Sequence, residues 1–98
     1  MIIKETKRYQ KWFRKLTDIK TRSIILAKVQ QLGFGQFSDC KDVGEKVIEK
    51  RIHYGPGYRI YFTVEEDTVL LLLTGGEKST QQQDIIIATK LAKRWRED

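Results

Sequence analysis

The stretch that decides the fold is residues 47–78, VIEKRIHYGPGYRIYFTVEEDTVLLLLTGGEK. It reads as two strands joined at Gly55-Pro56-Gly57, a third strand, and a glycine pair that delivers Lys78. Closing the hairpin with Tyr54 opposite Tyr58 sets Ile52 against Ile60, His53 against Arg59 and Arg51 against Tyr61. Side chains alternate across a strand. Ile52, Tyr54, Tyr58, Ile60 and Phe62 therefore share an apolar face. Arg51, His53, Arg59 and Tyr61 share the other, which carries two guanidiniums, an imidazole and a phenol. That polar face is the candidate site. Lys50 falls on the apolar face, where its stem is expected to snorkel at the edge.

Three strands follow from this reading, over about 46–54, 58–64 and 68–74. Glu65-Glu66-Asp67 makes the turn between the last two. Val69–Leu73 is apolar at every position, which predicts a central strand covered on both faces. At a sheet edge that composition would invite aggregation.

Upstream, Met1–Glu5 is a short strand in which Ile2 and Ile3 can pack. Thr6 is a candidate N-cap for a helix over Lys7–Leu16. Tyr9, Trp12, Phe13 and Leu16 recur at helical spacing and form its apolar stripe. Asp18 opens a second helix to about Leu32, with Ile25, Leu26, Val29 and Leu32 buried, and the short break predicts an antiparallel pair of helices. Residues 33–44 read as a loop anchored by Phe34 or Phe37, with Cys40 and Asp42 at the surface. After Lys78, Thr80 and Gln83 have capping-box spacing for a last helix over Gln81–Arg96. Its buried face is Ile85, Ala88, Leu91, Ala92 and Trp95. Ile86 and Ile87 exceed what one stripe needs and can extend the core or face a partner. The order β-α-α-β-β-β-α describes an α+β domain with helices on a small antiparallel-rich sheet.

The 98 residues fit one domain, 1–98, with one modest core. The Val69–Leu73 run is too short to span a bilayer, and charge follows Met1-Ile2-Ile3 at once, so neither a membrane segment nor a leader is expected. A single cysteine excludes an internal disulfide and suits the cytoplasm. One Cys and one His cannot build a Cys/His zinc site, and no clustered carboxylates suggest a two-metal nuclease, so no cofactor is expected. Residues 1–22 carry eight basic side chains against Glu5 and Asp18, which accounts for the whole net charge of +6. A positive field confined to one segment, including Lys7, Arg8, Lys11, Arg14 and Lys15, favours a polyanionic or acidic partner. The alternative is a soluble basic helix.

A face bearing Arg51, His53, Arg59 and Tyr61, with Lys78 arriving from the next loop, suits a phosphodiester. Arginine offers a planar fork of donors that fits phosphate, and lysine a mobile point charge. Metal-free RNA cleavage needs a base for the 2′-hydroxyl proton, cations for the phosphorane and an acid for the leaving oxygen. His53 is the one side chain that ordinarily titrates near neutrality. Against this, Arg51 can pair with Glu49 or Glu45 as a solvated face, and Tyr61 can be core if a helix covers that side. GGEKS fails as a phosphate loop, because Glu77 stands where the glycine before its lysine belongs. Cys40 has no His or Ser arrangement that would make it a nucleophile.

Gly57-Tyr58-Arg59-Ile60-Tyr61-Phe62, the acidic turn, the apolar strand, Gly75-Gly76-Glu77-Lys78 and Gln83-Asp84-Ile85 form an ordered set. Trp12-Phe13 with Leu16, and Asp42-Val43-Gly44-Glu45, precede it. In order and spacing these resemble the RelE/ParE toxin superfamily, most closely its HigB-like addiction module killer branch. The resemblance implies a RelE-like, microbial ribonuclease-like fold and a toxin of a type II toxin–antitoxin system. It implies a ribosome-dependent mRNA endonuclease, an mRNA interferase, neutralised by a cognate antitoxin of helix-turn-helix type. By position it assigns phosphate stabilisation to Arg59, with Arg51 and Lys78 beside it, and ribosomal RNA contact to the basic N-terminal helices. The alternative on the same fold is a ParE-like, non-enzymatic inhibitor of DNA gyrase acting through a helical surface.

Overall fold

The structure, a computed structural model, describes residues 1–97. In chain order it comprises β1 (Ile2–Glu5), α1 (Lys7–Lys15), α2 (Ile19–Gly33), β2 (Cys40–Gly44), β3 (Val47–Ile52), β4 (Tyr58–Glu65), β5 (Val69–Glu77), a 3-10 turn (Lys78–Thr80) and α3 (Gln81–Glu97). The five strands form one sheet in the order β1-β5-β4-β3-β2. β1 runs parallel to β5 and the other neighbours are antiparallel. The α+β class and the helix placements agree with the sequence reading.

The polar–apolar alternation places the helices. Tyr9, Ile25, Val29 and Leu32 pack with Ile52, Ile60, Phe62, Leu70 and Leu72, so α1 and α2 cover one face. Val47, Tyr61, Leu71 and Leu73 meet Ala88 and Ala92, so α3 covers the other. β5 is flanked by β1 and β4 and divides its leucines between the two cores, which is why an unbroken apolar run was needed. Both N-caps are as expected: the side chains of Thr6 and Asp18 accept from the backbone N–H of Tyr9 and Thr21.

Four local readings change. The hairpin pairs Ile52 with Tyr58, Arg51 with Arg59, Lys50 with Ile60 and Glu49 with Tyr61. This register differs from the expected one by two positions, so every side chain keeps its face while its partner changes. Second, the segment read as a loop contains β2, which adds a fourth strand to the meander. It pairs with β3 across a Glu45-Lys46 turn, both residues having positive φ (55° and 63°). Third, Lys50 is buried on the α1/α2 face, and its Nζ donates to the Ser38 carbonyl within the protein. Fourth, the capping box lies one turn early, between Glu77 and Thr80, because the 3-10 turn precedes α3. Of the two loop phenylalanines, Phe37 is the anchor, 5.8 Å from the Phe62 ring, while Phe34 is exposed. Cys40 is half-buried. Ile85 joins the core, whereas Ile86 faces outward.

Candidate functional site: an arginine cluster at one end of the sheet

Strand pairing brings the polar residues together at the C-terminal end of β3. Arg51 lies opposite Arg59, and Arg59 lies opposite Gly76 on β5. Lys78 reaches the same end, its backbone N–H donating to the Gly57 carbonyl at 2.8 Å. α3 begins immediately afterwards and sets Gln81 over β3.

The centre of this arrangement is Glu49, whose side chain is fully buried. Arg59 Nη1 and Arg51 Nε donate to its Oε1 at 3.0 and 3.1 Å, and Gln81 Nε2 donates to its Oε2 at 2.8 Å. Burial alone would push the Glu49 carboxyl up. The Gln81 and Arg51 hydrogen bonds and the Arg59 charge pull further in the other direction, leaving it below the usual carboxylate range. Tyr61 is buried beside this group under α3; burial, then the Glu49 charge, push its phenol well above the usual value. Arg59 Nε is buried without a hydrogen-bond partner among the described residues.

The five residues singled out on sequence grounds fall into two groups. Arg59 and Tyr61 are buried, so the polar face is not uniformly open: α3 covers the part of it that holds Tyr61. Arg51 is half-exposed, and Lys78 and His53 are exposed. His53 lies just past β3, with Nε2 3.7 Å from Asp39 Oδ2. Lys7, Arg8, Lys11, Arg14 and Lys15 are exposed along α1. Trp12 on that helix packs edge-on to Tyr58 (6.5 Å between ring centroids), which brings the basic helix to the same end of the sheet. The sequence reading offered Glu49 only as a surface partner for Arg51. Its alternation with Val47 on the α3-covered face was the signal that it is buried. Gln81 left no signal, because its role depends on where α3 starts.

No family model matches the chain. An uncharacterised protein of Haemophilus influenzae is 40% identical over 59 residues, a stretch covering 60% of this chain and 60% of that protein. Among solved structures, a double arginine-to-alanine mutant of the Escherichia coli toxin RelE, in the free state, matches with a TM-score of 0.70 over 95% of both chains at 20% identity. The RelBE toxin–antitoxin complex of the same organism gives 0.64 at 22% identity over 78% of this chain and 94% of that one. The isolated RelE toxin gives 0.63 at 19% identity, covering 88% and 97%. The five-stranded sheet between a helix pair and a C-terminal helix is therefore a RelE fold.

Proposed function

We propose that this protein is the toxin of a toxin–antitoxin pair and that it acts in the cytoplasm as a ribosome-dependent mRNA endonuclease. The observation that carries this reading is the cation cluster at one end of a RelE-type sheet: Arg51 half-exposed, Lys78 exposed, and Arg59 held behind them by Glu49. Arg51 and Lys78 contact the scissile phosphate and stabilise the charge that grows on it. Arg59 is a positioning residue: it neutralises Glu49, which fixes the Arg51 guanidinium through Nε and leaves its terminal nitrogens to the substrate. His53, exposed just past β3, accepts the 2′-hydroxyl proton. Tyr61 supports the cluster from beneath and does not touch substrate. The exposed cations of α1 engage ribosomal RNA, an interaction that weakens with salt. A cognate antitoxin neutralises the protein by covering this positive surface with acidic groups.

One observation favours a second reading. Arg59 is already neutralised inside the protein, as expected if the sheet arginines are structural and a helical surface inhibits DNA gyrase. Controlled expression with mapping of message 5′ ends separates the two. New ends inside translated codons, absent for Arg51→Ala, support the nuclease. Growth arrest with intact messages and relaxed plasmids supports gyrase inhibition, and no toxicity in either assay overturns both.

A further inference from the structure

α2 is apolar on two faces. One lies in the core, where Ile25, Val29 and Leu32 are buried against the sheet. The other points away from it. Ile19 is 81% exposed, Leu26 50% and Phe34 84%. Phe34 follows the helix, yet its backbone N–H still donates to the Gln30 carbonyl at 3.2 Å, which keeps it in line. At 3.6 residues per turn, Ile19, Ser23, Leu26, Gln30 and Phe34 fall within a sector of about 80°. None of the five is charged, in a chain of which 33% is. At about 1.5 Å of rise per residue the stripe runs for roughly 22 Å. Met1 and Ile3 widen its far end. The Met1 ammonium donates to the Gly33 carbonyl at 2.9 Å, and a Cβ on Gly33 would meet Ile3 at 2.7 Å.

The borders of the stripe are basic. On one side Lys20 Nζ lies 5.8 Å from the centre of the Tyr54 ring; on the other Arg22 lies 4.9 Å from that of Phe13. Both cations are thus held beside the stripe, and neither forms a salt bridge among the described residues. Lys28 stands on the same side as Lys20. From Ile19 to Ser38 the chain has no acidic residue. Asp18, just before, is engaged in capping the helix, accepting from the backbone N–H and the hydroxyl of Thr21.

We propose that the outer face of α2 docks an amphipathic helix of an acidic protein partner, about four turns long, with its apolar stripe bordered by Asp and Glu. A helix laid on an apolar stripe uses anchors at helical spacing, and the charges along the seam select the partner. A second copy of this chain has the wrong charge: packing α2 on α2 brings Lys20, Arg22 and Lys28 of both copies together with no carboxylate between them. RNA would leave the uncharged stripe unmatched. A membrane would draw Ser23 and Gln30, in the middle of the stripe, into the acyl boundary, whereas along a helix seam they meet polar groups. The surface lies on the helix pair, across the sheet from α3 and the Glu49 cluster, so the contact does not depend on RNA cleavage.

Titration of the folded, isotope-labelled protein with a synthetic helix tests it. The probe carries leucines at i, i+3, i+4 and i+7 spacing bordered by glutamates; its control has the same stripe bordered by lysines. The glutamate peptide should shift the amides of Ile19, Ser23, Leu26, Gln30 and Phe34, with a Kd roughly tenfold below that of the control. Leu26→Lys and Phe34→Ser, both on the solvent side, should each weaken it about tenfold while leaving Tm unchanged. Equal affinity for the two peptides, no shift at millimolar peptide, or shifts confined to α1 or the arginine cluster overturns the proposal. A concentration-dependent dimer that Leu26→Lys dissolves overturns it in favour of a second copy. Phosphatidylserine vesicles that move these amides where the peptide does not overturn it in favour of a membrane.

Discussion

Glu49 and Arg59 meet across adjacent strands at 3.0 Å with both side chains withdrawn from solvent. The pair sits between the sheet and the first turn of α3, which adds Gln81 to the same carboxylate. Removing one partner of a buried pair strands the other charge, a larger loss than the pair itself contributes.

Glu49→Ala is therefore expected to lower stability by roughly 3–5 kcal/mol, much of what a domain of this size has. Joint replacement by Glu49→Leu and Arg59→Met should recover most of it, as an apolar pair leaves no buried charge unpaired and Arg51 stays in contact with solvent. Urea midpoints of the singles and the double form the cycle; additive losses would show that the two side chains do not interact.

The depressed Glu49 carboxyl predicts acid sensitivity of defined sign. Its contribution is fully present above the ordinary glutamate value of 4.5 and is lost as pH falls through its lower folded value. Urea midpoints between pH 7 and pH 3 should fall more steeply for the wild type than for Glu49→Gln.

Tyr9 and Tyr61 carry the opposite sign. Burial raises both phenols, with the charges of Glu5 and Glu49 respectively adding to it. Their contribution is full below the ordinary value of 10.0 and is lost as pH rises towards the raised folded values. In an ultraviolet titration both should stay protonated in the folded protein past pH 10 and ionise together with unfolding. Early ionisation of either would contradict the burial described.

Gly75→Ala drives a Cβ into the Trp12 ring at 2.3 Å. A loss of roughly 1–3 kcal/mol is expected, as for other overpacked sites. Combined with Trp12→Leu, the glycine substitution should cost less than it does alone, measured by thermal unfolding.

Glu45-Lys46 and Glu66-Asp67 turn two hairpins with positive φ at all four residues. Non-glycine residues are strained there. Replacing Glu45-Lys46 by Asn-Gly, the preferred pair for such turns, should raise stability by about 0.5–1 kcal/mol. No change in the urea midpoint would remove strain from the account of this turn.

That strained turn explains what the sequence concealed. β2 was hidden because Glu45-Lys46 carries none of the usual hairpin signals, and because Phe34, Gly35 and Ser38 make the preceding stretch look like loop. The helices, the three later strands and the face of each hairpin residue were legible, since periodicity sets them locally. Pairing register was not, because a two-position slip leaves every face unchanged. The arginines of the site were legible as charges inside a strand. The burial of Arg59, and the capture of both by a Glu49 that Gln81 also holds, were not, since the Gln81 contact depends on where a helix 32 residues downstream of Glu49 begins.

The parallel pairing of β1 with β5 also dictates an order of events. Thr6 and Leu73 are 67 positions apart, so a chain emerging at about 5–20 residues per second holds its first strand without a partner for several seconds. Gln81 must then emerge before Glu49 gains its last ligand. A growing copy thus lacks the finished cation cluster until Gln81 has left the ribosome.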